Sequence, residues 1–187
     1  RGGLVFRGPA PARERGKPVV APAAALSPAA APAPTSPLGK TVGCAPDEER
    51  IFSCKVASGK RIAICGTGER DAEYRFGEST PELVLRGGRW ASVPYSGGGE
   101  AQVAFANGTT RYIVFSRMVR TNFAAGEPNN PAISDGAIVL DGEKVIGLQL
   151  CDDADIVSID YDLAEAHFPR ADELFSWETD RADRRTR

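Results

Sequence analysis

Histidine is almost missing from this 187-residue chain, since His167 is the only one, and that scarcity narrows the chemistry open to it. A nucleophile–histidine pair has one candidate base, set in an acidic stretch beyond the last expected strand. The serines Ser53, Ser92, Ser96 and Ser116 have no strand–elbow–helix signature around them. The four cysteines contain no C-x-x-C pair, so a zinc site is not expected. Phosphate loops are missing too. The three glycines in "YSGGGEAQVAF" open a strand rather than a helix, and no Lys-Ser/Thr pair follows them. With no helix N-terminus there is no dipole to hold an anion. The triplet reads as a strand entry where a side chain would clash. No apolar run approaches the length needed to span a bilayer. Net charge is small, 23 Lys+Arg against 25 Asp+Glu, which gives no general electrostatic reason to bind nucleic acid. No cofactor or metal is expected.

What the chain does contain is unevenly distributed. Nine of the fourteen prolines lie at or before Pro46, and residues 1–43 carry six Lys/Arg against one acid. Their order, basic and then Ala/Pro/Val-rich with small-residue triplets, is that of a secretory signal, but prolines interrupt the apolar part. Residues 1–43 are therefore read as a disordered Pro/Ala-rich tether or a degenerate signal region. Residues 44–151 are nearly neutral and form the expected folded domain. Residues 152–187 carry eleven acids against five bases and read as an acidic C-terminal extension, with a short helix from about Pro169 and a fraying polar end.

From Cys44 to Cys151 the apolar period is two. "IFSCKV" and "RIAIC" flank "ASG" as a hairpin, and "EYRFG", "PELVLR" and "RWASVPY" follow. "EAQVAFA" and "TTRYIVFS" flank Asn107-Gly108, the favoured dipeptide of a two-residue type I′ turn. That turn pairs Phe105 with Thr110, Val103 with Tyr112 and Ala101 with Val114. Asp141-Gly142 joins "AIVL" to "EKVIGLQLC", whose apolar residues on both faces suggest a more deeply buried pair. Short strands with regular turn signals and no βαβ alternation give an all-β fold, a small antiparallel β-barrel or sandwich.

Cys44, Cys54, Cys65 and Cys151 read as two disulfides, and hence an oxidising compartment. If Phe52, Val56, Ile62 and Ile64 share the core face, Cys54 joins them while Cys65 points away, which disfavours a Cys54–Cys65 bridge. Of the two remaining pairings the preferred one is Cys44–Cys54 with Cys65–Cys151. The second bridge would close a long loop worth about 4 kcal/mol in the chain-entropy model.

Two acidic readings and one long connection remain. Asp152, Asp153, Asp155, Asp160 and Asp162 could gather a hard cation, but a solvated acidic run is the plainer reading. Glu73, Glu82 and Glu100 all fall on expected strands, and two of them could form a hydrolase pair if their spacing suits. The stretch Arg117–Asp135 has little strand pattern, and connections of that length are often functional.

The run "FSC…IAIC…YRFG…EL…YSGGGEAQVAFANGTTRYIVFS…IVLDGEKVIGLQLC" resembles a group of uncharacterised secreted or periplasmic bacterial domains over about Cys44 to Cys151. The resemblance implies export and a small β fold. More distantly, the order of Cys-bearing strands, a Ser-Gly turn and a further strand resembles the C-type lysozyme inhibitors, a family in which a Ser-Gly loop enters the enzyme cleft. Ser96 and Gly97 are the matching positions. Together these readings lead to an exported domain that binds an unknown protein or cell-envelope ligand, with no membrane span. Its contact surface is placed at Tyr95, Ser96, Gly97, Arg117, Arg120 and Asn122. Lysozyme inhibition and carboxylate-based hydrolysis are the alternatives.

Overall fold

The computed structural model describes residues 41–185. The expected Pro/Ala-rich tether lies, up to residue 40, outside the described residues. Every strand read from the alternation is present. β1 (Glu49–Lys55), β2 (Arg61–Gly68), β3 (Asp71–Gly77) and β4 (Pro81–Leu85) form one antiparallel sheet in chain order. β5 (Arg89–Tyr95), β6 (Gly98–Asn107), β7 (Thr110–Arg120), β8 (Pro131–Asp141) and β9 (Lys144–Leu150) form the second, also in chain order. The sheets face each other across one core. Phe52, Cys54, Ile62, Ile64 and Tyr74 come from the first, and Trp90, Val103, Phe105, Val114 and Ala137 from the second. Neither sheet closes on itself into a barrel.

The turns correct the expected register. Asn107 is the last residue of β6 and pairs with Thr110, so Gly108-Thr109 is the two-residue loop. Gly108 has φ 62 and Asn107 is not among the positive-φ residues. A positive φ at the first central position alone belongs to a type II′ rather than a type I′ turn. The pairs become Phe105 with Tyr112, Val103 with Val114 and Ala101 with Ser116. A slip of two residues keeps every side chain on its face, so alternation could not detect it. Asp141 likewise pairs with Lys144 and leaves Gly142 inside its loop.

The disulfides are Cys44–Cys65 and Cys54–Cys151, which overturns the preferred pairing. Cys54 does face the core and Cys65 does not, but parity alone leaves their partners open. Cys54 is in the shared core, where the partner arriving from the other sheet is Cys151, bridged in register to Val56. Cys65 points to the outer face of the first sheet. There the strap that precedes β1 crosses it, held by hydrogen bonds from Arg75 to the Gly43 carbonyl (3.2 Å) and to both oxygens of Glu48 (2.8 and 2.6 Å).

Among the described residues the acidic C-terminal stretch packs along the domain, while Asp152, Asp155, Asp160 and Asp162 stay exposed as a solvated acidic run would. Residues 152–160 run along the free edge of β1, with Asp152 N to Lys55 O at 2.8 Å, Val157 N to Ser53 O at 2.8 Å and Asp160 N to Ile51 O at 3.0 Å. Covering that edge removes a template for pairing with other chains. A short helix, α1 (Tyr161–His167), follows, capped by Asp160, whose side chain accepts from Leu163 N. It ends before Pro169, where the helix was expected to begin, because proline cannot continue it. Ala164 and Phe168 enter the core, and His167 is buried with Nε2 2.6 Å from a Glu49 carboxylate oxygen. Trp90 N then bonds Pro169 O, and Ala171 N bonds Trp90 O, along the free edge of β5.

Residues 172–183 turn back over the outer face of the five-stranded sheet. Phe175 packs on Ile113, Ile138 and Leu140, which explains why both faces of that sheet carry apolar residues. The expected fraying end is instead a 3-10 turn (Glu178–Asp180) leading into α2 (Arg181–Arg185). Thr179 and Ala182 are fully buried there.

Candidate functional site

A five-strand meander puts the β5–β6 and β7–β8 connections at one end of the sheet. The two stretches singled out in the sequence therefore meet. Asn129 Nδ2 donates to the Gly97 carbonyl at 2.7 Å. The β7–β8 loop is shorter than expected, because Arg117–Arg120 pair with Pro131–Ser134 and only residues 121–130 lie outside the ladder. At this free end the alternation is weak because neither face is fully buried, with Met118 and Ile133 exposed.

The glycine triplet shapes this end. Tyr95 pairs with Gly98, so Ser96-Gly97 is the turn, and Gly97 takes φ 81, as the third residue of a type II turn requires. Gly98 is needed for close approach, since a Cβ there would sit 2.0 Å from the Met118 carbonyl oxygen of β7. The clash expected at this strand entry is thus severest at Gly98, where it is with backbone, while at Gly97 it is with the Asn129 side chain at 2.7 Å.

Two clefts flank the end of β7. On the outer face a cleft of about 390 Å³ is lined by Tyr95, Ser96, Arg117, Arg120, Phe123, Trp177 and their neighbours. On the core side a cleft of about 310 Å³ is lined by Gly98, Gly99, Met118, Ile133, Asp135, Tyr161 and others. Arg117 borders both. Four of the six expected contact residues thus share the outer cleft. Gly97 is at the tip of the adjoining turn. Asn122 turns inward on its own loop, its Oδ1 accepting from Ala124 N at 3.0 Å and its carbonyl from Arg120 Nε.

Arg117 is occupied. Its guanidinium meets Glu100 at 2.6 Å and Asp183 at 3.0 Å. Burial opposes its charge, but the hydrogen bonds to Asp183 and Glu100 more than offset that and raise its pKa above the usual arginine value. Glu100 is fully buried and accepts from Tyr95 Oη (2.7 Å), Gln102 Nε2 (2.6 Å), Arg117 Nη1 (2.6 Å) and Thr179 Oγ1 (2.6 Å). Burial, followed by the Glu100 carboxylate, pushes the Tyr95 phenol well up, so it stays a proton donor. This cluster is a structural tie that fixes the strap of residues 172–183 to the sheet. Arg120 is the cation that remains, since it has no ion pair among the described residues and its guanidinium lies 5.3 Å from the centre of the Phe123 ring.

The other acidic candidates go elsewhere. Glu73 and Glu100 stand in different sheets, and Glu73 is ion-paired to Arg75 at 2.7 Å and to Arg86. Glu82 meets Lys60 at the surface. None of the three lines either cleft. Among the described residues the five C-terminal aspartates form no group of three converging ligands. The one such group, Cys44, Glu48 and Cys65, contains a disulfide, and its sulfurs are therefore not free to bind metal. No helix among the described residues is long and apolar enough to cross a membrane.

Phe123, Ile133 and Asp135 fall within the stretch Arg117–Asp135 singled out in the sequence without being named as site residues there, and Tyr161 and Trp177 lie outside it. A tryptophan inside a strongly polar C-terminal stretch was the available signal for Trp177. The others could be placed only once the chain was folded. Comparison with known proteins finds no matching family model, no significantly similar curated protein and no significantly similar solved structure.

Proposed function

We propose that the chain is an exported, disulfide-stabilised β-sandwich that binds a partner or cell-envelope ligand outside the cytoplasm and does not catalyse a reaction. One observation carries this reading. Seven large hydrophobic residues are exposed among the described residues, and five of them, Met118, Phe123, Ile133, Tyr161 and Trp177, line the two clefts. Scattered exposed apolar residues need no explanation, whereas a cluster lining two adjoining clefts at one end of a sheet marks a contact surface. The two disulfides support export, because such bonds persist in oxidising compartments. Engagement of Glu73 and Glu100 by arginines favours binding over carboxylate chemistry.

The test uses the immobilised chain against envelope and culture-fluid extracts, beside the Phe123→Ser/Trp177→Ser double variant. A component held by the parent chain and lost by the variant, recovered chemically unchanged, is the expected result. Equal retention by both, or conversion of the component into product, overturns the reading.

The exposed Ser96-Gly97 turn favours a second reading, an inhibitor that inserts this turn into an enzyme cleft. A lysozyme assay with the parent chain and Ser96→Ala tests it. Inhibition weakened by the substitution supports it, and an unaffected lysozyme rate removes it.

A further inference from the structure

Asp135 lies on β8 directly across from Ser116 of β7 and is 5% exposed. Its Oδ1 accepts from Ser116 Oγ at 2.5 Å, and Ser116 Oγ in turn accepts from Ile159 N at 2.8 Å. That chain fixes the carboxylate's orientation and uses one of its two oxygens. Oδ2 has no hydrogen-bond partner among the described residues, and Asp135 borders the inner cleft. No cation among the described residues pairs with it. Arg117 touches the same cleft, but its guanidinium is taken by Glu100 and Asp183. Oδ2 is the part of this enclosed side chain that the cleft leaves open to solvent, so the carboxylate presents one free acceptor there with no protein counter-ion beside it.

The rest of the cleft supplies the complement of a particular shape. Met118, Ile133 and Ile159 provide apolar walls. Gly98 and Gly99, beside Met118 on the same sheet, contribute no side chains, and the Tyr161 ring adds an aromatic surface that favours cations. At about 310 Å³ the space is at the lower limit of ligand pockets and suits one side chain. Long cationic side chains bury an aliphatic stem while keeping the charged head on a polar partner.

We propose that the inner cleft receives a single aliphatic cation, the ammonium or guanidinium end of a lysine- or arginine-type group, with Asp135 Oδ2 as its counter-ion. This rests on the reading of this end of the sheet as the binding surface, and it names the chemistry of one subsite. The cation can come from a peptide side chain or from a free alkylamine, and the probes separate the two.

The intact chain, ¹⁵N-labelled, is titrated with N-acetyl-lysine methylamide, with N-acetyl-norleucine methylamide and with pentylamine, following the amides of Gly98, Gly99, Ser116 and Ile159. The lysine derivative is expected to give saturable shifts at these residues and the norleucine derivative to bind at least about tenfold more weakly. That factor corresponds to about 1.4 kcal/mol, in keeping with a charge-assisted bond at a partly enclosed carboxylate. Pentylamine matching the lysine derivative assigns recognition to the ammonium and stem alone, and a clear preference for the lysine derivative assigns a peptide source. Asp135→Asn still accepts from Ser116 and is expected to weaken lysine binding about tenfold or more. Ile133→Lys places a tethered ammonium two residues along the same strand face and is expected to weaken added lysine by a similar factor without touching the Ser116 bond. Equal binding of the lysine and norleucine derivatives, or unchanged affinity in Asp135→Asn, overturns the subsite. If the extract component is still captured in that case, the binding reading stands without it.

Discussion

Replacing Arg117 with methionine perturbs the tie between the C-terminal strap and the five-stranded sheet. Methionine keeps much of the volume and the stem packing but removes the charge. Glu100 is then left fully buried with three neutral donors and no counter-ion, and Asp183 loses the Arg117 contact at 3.0 Å. Breaking a buried pair from one side costs about 3–5 kcal/mol, mostly as the penalty of the stranded charge. The Asp183 half is somewhat more accessible and adds about 1 kcal/mol. Glu100→Gln in the same background removes the stranded charge while its amide oxygen can still accept from Tyr95 or Thr179. The double variant should therefore recover at least half of the loss, a coupling that only residues in contact show. Urea unfolding followed by tryptophan fluorescence measures both values, and native-state hydrogen exchange at residues 174–182 should show the strap opening first. A loss below about 1 kcal/mol for Arg117→Met, or strap amides no faster than in the parent chain, would refute the assignment of this cluster as the tie.

Other outcomes follow from the same structure. The Cys54–Cys151 bridge spans 97 residues and Cys44–Cys65 spans 21, so the paired serine substitutions should cost about 4.7 and about 3.3 kcal/mol in the chain-entropy model. Denaturant melts rank them, and the reverse order would contradict the loop argument. Gly98→Ala forces a methyl to 2.0 Å from the Met118 carbonyl, a backbone contact with no side chain able to yield. It should cost about 3 kcal/mol, against about 1 kcal/mol for Gly108→Ala, which has φ 62 and open space around it. Equal losses at the two glycines would mean that the strands adjust freely.

Eight of the nine strands could be read from sequence because each has one face against a common core and so keeps period two, whereas β9 was read from its turn and its apolar content and packs through Val145 and Leu148 on the outer cluster. What alternation leaves undetermined is any change that preserves parity. The two-residue slip at Gly108 is one such change, and the choice between two disulfide pairings, both compatible with Cys54 inward and Cys65 outward, is another. The strap of residues 172–183 was invisible for a different reason. Its buried residues, Leu174, Thr179 and Ala182, are few and irregularly spaced, and it is held by side chains such as Gln102, which accepts from Phe175 N and Ser176 N. Of the candidate site, Tyr95, Ser96, Arg117 and Arg120 were legible because a meander must bring alternate connections to the same end. Asp135 was not, because its burial depends on Ser116 and Ile159, which are distant in sequence, and Trp177 lies in the strap whose course no local pattern announces.

The measurement that bears most directly on the account is amide-shift mapping of the captured envelope component on the intact labelled chain. The account predicts perturbations concentrated at residues 95–99, 117–123, 133–135, 161 and 177, with the opposite end of the sheet around Gly108 and Gly142 unaffected. Perturbations centred on that opposite end, or on the outer face of the four-stranded sheet around Arg75, would contradict it.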